Sequence, residues 1–162
     1  MSKNKIASDS LQAKGFFRLQ VTEGDKVVGD SGWKSNVVTT LGKEQYLCRS
    51  LGSAAGSKYV NYAMLGMDTA AKSAAQTALV SELTDALYSR MSVATSLTGA
   101  SSNTIQFAFT LASGLVSTDR TIAEVGLINT DSAGTMFAGN TFASSNLATN
   151  QSVNGSYEIR FS

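Results

Sequence analysis

The apolar positions of this chain recur mostly in twos. In Gly15-Phe16-Phe17-Arg18-Leu19-Gln20-Val21, residues Phe17, Leu19 and Val21 fall on one face and Arg18 and Gln20 on the other. That is the period of a strand with one buried side. Glu23-Gly24-Asp25-Lys26 reads as a tight turn and Val27-Val28 as the start of the returning strand, a hairpin. Further strands are expected at 59–66, around 88–97, at 104–112, at 121–129, at 136–142 and at 156–162. The cleanest is the third of these, where Ile105, Phe107, Phe109 and Leu111 share a face. Thr98–Asn103 and Asp131-Ser132-Ala133-Gly134 supply turns, Ser53–Gly56 a short loop, and residues 143–154 a longer polar loop.

One segment breaks the period. Leu41, Leu47, Cys48 and Leu51 recur at helical spacing, with Thr40 placed to cap and Gly52 to stop an amphipathic helix over 41–51. Thr77–Leu83 has room for a single helical turn. Seven or eight short strands and one helix predict a mainly β chain: an antiparallel β-sandwich or jelly-roll-like domain over 15–162. A parallel α/β sheet would need helices between its strands. Residues 1–14 are polar and aperiodic, with Ile6 and Leu11 as the apolar anchors, and read as an N-terminal arm that orders against a neighbour.

Composition narrows the chemistry. The chain is 162 residues long, enough for one domain with its own core, and only 15% of it is charged. Polarity comes instead from 39 Ser and Thr hydroxyls. Histidine is absent, which removes the commonest general base and the commonest metal ligand together. Neither Gly-x-Ser-x-Gly nor a phosphate-binding glycine loop occurs. Cys48 stands alone, with no histidine to activate it, and is expected as a small buried thiol. Glu82 and Asp85, three apart, read as a solvated face. Glu124 lies in an apolar strand, so burial would demand a partner, with Arg90 or Arg120 as candidates. The expectation is a non-enzymatic chain without cofactor or metal.

Net charge is +1, with no basic stripe, so specific nucleic-acid binding is not expected. The start of the chain, Met1-Ser2-Lys3-Asn4-Lys5, has no apolar leader, and no stretch is long and apolar enough to span a bilayer. Synthesis in a cytoplasm and no membrane partner are the expectation. Residues 1–50 hold eight Lys or Arg against five Asp or Glu, while the remainder holds five against seven.

Two stretches carry a resemblance. One runs from Asn36-Val37-Val38-Thr39-Thr40-Leu41-Gly42 through Tyr62-Ala63-Met64-Leu65-Gly66-Met67-Asp68-Thr69-Ala70-Ala71 to Gln76-Thr77-Ala78-Leu79-Val80-Ser81-Glu82-Leu83. The other is Arg120-Thr121-Ile122-Ala123-Glu124-Val125-Gly126-Leu127-Ile128-Asn129, followed by Gly134-Thr135-Met136-Phe137-Ala138-Gly139-Asn140-Thr141-Phe142. Their order over about residues 33–161 resembles small β-rich structural proteins of tailed-bacteriophage virions. In that family a T-A-L-x-x-E loop and an I-x-E-x-G-L hairpin recur. Met67-Asp68 stands where the family often has Thr-Gly.

The resemblance implies a virion component made in the host cytoplasm. A lysine-bearing arm and a hydroxyl-rich, low-charge surface favour a capsid decoration (cement) protein that oligomerises and stabilises the major capsid shell. A tail, baseplate or fibre-attachment protein is the alternative, and a carbohydrate-binding module using Trp33 or Tyr157 is a further one. Expected partners are the major capsid protein or other virion proteins, and copies of the chain itself. The candidate contact residues are Lys3, Lys5, Ile6, Leu11 and Lys14, for which an acidic groove is the natural match.

Overall fold

The structure, a computed structural model, describes residues 11–52, 55–98 and 103–162. Ten strands form: β1 (Ala13–Glu23), β2 (Lys26–Asp30), β3 (Lys34–Val38), β4 (Tyr62–Gly66), β5 (Met91–Ser92), β6 (Ala94–Thr98), β7 (Thr104–Leu111), β8 (Arg120–Ile128), β9 (Met136–Leu147) and β10 (Ser152–Phe161). The one helix among the described residues, α1, is π-helical over Gly42–Cys48 and α-helical over Arg49–Leu51. The chain is therefore mainly β with one short helix.

The strands make one antiparallel sheet in the order β5-β4-β8-β9-β3-β1-β10-β7-β6, with β2 paired to β1. Its two end strands are consecutive in sequence, separated only by Val93, so the sheet curls almost into a closed barrel. Strand β3 joins two parts of it: Lys34–Asn36 pair with β1, and Val37 and Val38 pair with β9. The main core fills the interior from both sides. There Phe17 of β1 stacks on Tyr157 of β10 and meets Phe142 of β9 edge-on, with centroids 6.0 and 6.1 Å away.

The alternation read in β1 and β7 holds: Phe17, Leu19, Val21, Phe107, Phe109 and Leu111 are all buried. The two expected hairpins, β1–β2 and β8–β9, both form. Strand β8 is buried on both faces from Ile122 to Ile128. Ala63, Leu65, Val125 and Leu127 join the main core, whereas Met64 and Ile128 pack with Leu79 and Met136 in a second cluster. The long connection 67–90 thus covers the side of β4 and β8 turned away from the barrel interior.

Several expectations are corrected. Residues 143–147 are strand, because the polar run Ala143-Ser144-Ser145-Asn146 pairs with the start of β8, and only 148–151 remain as loop. Thr77–Leu83 forms no helical turn; the Leu83 N–H donates to Leu65 O at 2.9 Å, and Glu82 bridges Gly66. The strand expected from Tyr59 starts at Tyr62. Ala13 and Lys14 belong to β1, and Gln12 exchanges backbone hydrogen bonds with Ser162, which trims the arm. Residues 1–10, 53–54 and 99–102, which include parts of the expected arm, loop and turn, lie outside the described residues.

The helix forms where expected, but its phase differs. Thr39 caps it, its hydroxyl accepting the Gly42 N–H at 2.8 Å, while Thr40 N–H goes to Ala74 O. The π-helical turns, bonded five residues apart rather than four, bury Gly42 and Tyr46 and leave Cys48 exposed, contrary to the buried thiol expected. Gly42 is required there, since a Cβ would meet Phe137 O at 2.1 Å.

Tyr46 also packs on Phe137, ring centroids 5.1 Å apart, so α1 and the β8–β9 hairpin share one contact. Phe137→Ala should therefore lower the unfolding free energy by about 3–5 kcal/mol. Urea denaturation followed by near-ultraviolet circular dichroism measures this; a loss under about 1 kcal/mol would place Phe137 outside the core.

Candidate binding groove and buried ion cluster

The helix, residues 58–61, the starts of β1 and β7, and the end of β10 surround an open groove of about 1160 Å³. Its floor is the side of the barrel core: Tyr46, Phe107, Phe137 and Ile159 are all nearly or fully buried. Its mouth is apolar too, with Leu11, Leu51 and Tyr59 exposed by 73, 83 and 67%. Lys14, Lys43 and Lys58 also line it, whereas no carboxylate does among the described residues. None of the three lysines forms an ion pair among the described residues, although Lys58 Nζ donates to Thr135 Oγ1 at 2.7 Å. Apolar surface of this extent, rimmed by charge, makes the groove a candidate interaction site.

Of the contact residues expected from the sequence, the structure brings Leu11 and Lys14 to this groove. Lys3, Lys5 and Ile6 lie outside the described residues. Sequence reading missed Leu51, Tyr59, Lys43 and Lys58. The available signal was the helix itself: a π turn rotates Leu51 and Cys48 away from the core and onto the groove wall.

Trp33 is 45% exposed beside a shallow recess lined by Arg18, Gln20 and Asn154, and Tyr157 is fully buried and bonded to Asn36. A glycan platform built on Tyr157 is therefore ruled out by burial.

A second constellation lies in the connection 67–90. Glu124 is fully buried, and its partner is Lys72, not Arg90 or Arg120: Nζ sits 2.5 Å from Oε2 and 2.8 Å from Asp68 Oδ2. The Ser81 N–H donates to Glu124 Oε1 at 2.8 Å. A register shift in the β8–β9 ladder between Ile122 and Glu124 breaks the alternation of β8, so Ile122 and Val125 enter the main core while Glu124 turns to the connection. Lys72 is held above the ordinary lysine range: burial pulls it down, but hydrogen bonds and charge from Asp68 and Glu124 outweigh burial. It stays protonated and acts as a cross-link.

The expected solvated pair is equally built in. Arg90 takes Glu82 with two bonds of 2.7 and 2.8 Å and also donates to Thr130 O and Ala133 O. Asp85 is buried and accepts from the backbone N–H groups of Leu87 and Ser117, from the Ser117 hydroxyl and from Arg120. Burial pushes the Asp85 carboxyl up, yet these donors prevail and hold it at about 2. Glu124 and Asp85 tie the connection to β8, and Glu82 reaches the β8–β9 turn through Arg90. No group of three or more His, Cys, Asp or Glu side chains is placed to hold a metal among the described residues.

Comparison of the chain with protein-family models, with curated proteins and with solved structures finds no match.

Two tests follow from the ion cluster. Lys72→Met removes the cation that Glu124 is buried against, so it should cost about 3–5 kcal/mol in urea denaturation. Adding Glu124→Gln should restore part of that loss, and a double-mutant cycle reads the coupling.

For Asp85, the unfolded carboxyl titrates near about 3.9, above its folded value. Its contribution is therefore complete above about pH 5 and is lost as pH falls towards 2. Asp85→Asn should flatten the fall in urea midpoint over that interval relative to the parent; an unchanged slope would show that Asp85 does not carry it.

Proposed function

We propose that this chain is a non-enzymatic structural protein of a tailed-phage virion, specifically a capsid decoration protein that oligomerises on the major capsid shell and stabilises it. The observation that carries the reading is the groove: a large apolar mouth framed by lysines is a surface for docking on a macromolecule. The virion assignment rests on the resemblance in the sequence. In support, the two stretches that carry it converge on one carboxylate, since Glu124 of the second binds Lys72 and Ser81 of the connection within the first. A two-layer, sandwich-like description of the domain, with β3 passing between layers, belongs to the same proposal.

A protein that binds only the assembled shell shifts the disassembly equilibrium by mass action. Heating purified particles with and without the chain should show the shell opening at lower temperature without it. Quantitative mass spectrometry and electron cryomicroscopy of the particles test the reading directly. Copies comparable in number to the major capsid protein, arrayed on the shell, are expected. A few copies at the tail would reassign the chain to the tail, and absence from particles would remove the virion reading altogether.

Residues 1–10 carry Lys3 and Lys5 against Asp9. Their removal should leave the unfolding midpoint of the isolated chain nearly unchanged while weakening particle attachment, most visibly in a pelleting assay at raised salt.

A further inference from the structure

We propose that the groove receives an extended, acidic segment of another protein, which adds as a strand along the free edge of β6 and completes the barrel. The inference rests on the docking reading above and deepens it by stating what kind of segment docks.

The geometry begins at Val93, whose N–H donates to Asn61 O at 3.0 Å and pins the two ends of the sheet together. Continuing the β4–β5 register, in which Tyr62 faces Ser92, would set Val60 opposite Ala94 and Tyr59 opposite Thr95. That pairing does not form. Residues 94–98 pair instead with 104–108 of β7, and no backbone hydrogen bond joins 58–60 to 94–98 among the described residues. The sheet therefore opens into a wedge whose sides are Tyr59 and Val60 on one hand and Thr95 on the other, all three lining the groove. One edge of that wedge, β6, has a ladder on one side only among the described residues.

The chemistry of the edge is permissive. Sheet edges are commonly blunted by charge, proline or extreme shortness. Strand β2 carries Lys26 and Asp30 at its ends, and β5 has only two residues. Strand β6 reads Ala94-Thr95-Ser96-Leu97-Thr98, with no charge and no proline, and Leu97 is 65% exposed. An added strand gains main-chain hydrogen bonds there, and its alternate side chains reach the apolar floor around Phe107 and Ile159.

Charge selects the occupant. Among the described residues, Lys14, Lys43 and Lys58 line the groove without a counter-charge. Residues 1–10 carry Lys3 and Lys5 against the single Asp9, so neither this segment nor its equivalent from a second copy matches the rim. A segment of different sequence, apolar at alternate positions and bearing Asp or Glu, does.

Selection of a random-peptide display library against the full chain tests this. Enriched peptides should alternate apolar residues and carry acidic ones. A synthetic peptide of the enriched sequence should slow hydrogen exchange at the amides of 94–98. Its binding should weaken about tenfold or more in Leu97→Lys and in Lys14→Glu/Lys58→Glu, both checked for folding by circular dichroism. Methylating the peptide's own backbone nitrogens should abolish binding, a readout that requires no change in the protein.

Absence of enrichment, enrichment of basic peptides, or binding indifferent to backbone methylation would each overturn the proposal. Binding that emerges only after residues 1–10 are removed would also overturn it, by making that segment the resident occupant. A chain that enriches such peptides yet is absent from particles keeps this inference and loses the virion reading; a particle-bound chain that enriches none does the reverse.

Discussion

The pairing of Lys72 with Glu124 is the constraint on which the outer half of this fold depends. Removing either charge from water costs several kcal/mol, so each can be buried only beside the other. Glu124 is fixed by β8, and Lys72 sits in a stretch of small polar residues, 68–76, that precedes the apolar anchors Leu79 and Leu83 of the connection. The ion pair thus does for that connection what hydrophobic burial does elsewhere. With Lys72 held, Ser81 comes to the same carboxylate and Leu79 to Met64 and Met136. Gly66 makes room, since a Cβ there would meet Glu124 Oε1 at 2.3 Å. The pair's role is position: two apolar residues of matching volume would hold the strand and leave the connection without an address.

What was legible in the sequence was whatever one strand or one hairpin decides by itself. Phe17, Leu19 and Val21, or Phe107, Phe109 and Leu111, alternate because one side of each faces the core. The second half of β9 escaped that reading, since Ala143-Ser144-Ser145-Asn146 has no apolar face and becomes strand only through its pairing with β8. Cys48 and Leu51 were misplaced for a related reason. Their spacing fits a four-residue turn, and the crowding of Gly42 against Phe137 selects a wider one. Lys72 was overlooked beside Arg90 and Arg120, yet it lies in the part of the connection that packs on Glu124. Ion partners depend on where a loop lands, which short-range patterning does not encode.

The groove and the ion cluster divide the molecule's polar resources unequally. In the cluster, four carboxylates and three cations are matched almost one for one, by Lys72, Arg90 and Arg120. At the groove, lysines are left facing apolar surface with no such match. A protein folding only for its own stability would gain little from that arrangement, and the surplus of positive charge is directed outward.

The barrel wall is uneven in a way that matters mechanically. Strands β1 and β10 share ten register pairs and β8 and β9 share eight, whereas β3 meets β9 through two, and the opposite join is the Val93–Asn61 contact. Two stiff plates are thus linked along two narrow strips. Thr39 doubles one strip, its N–H and hydroxyl both reaching Phe137 O. The two strips thus differ in what holds them: Thr39 adds side-chain bonds to one, while the other relies on a single backbone hydrogen bond and on the unbroken chain through Val93.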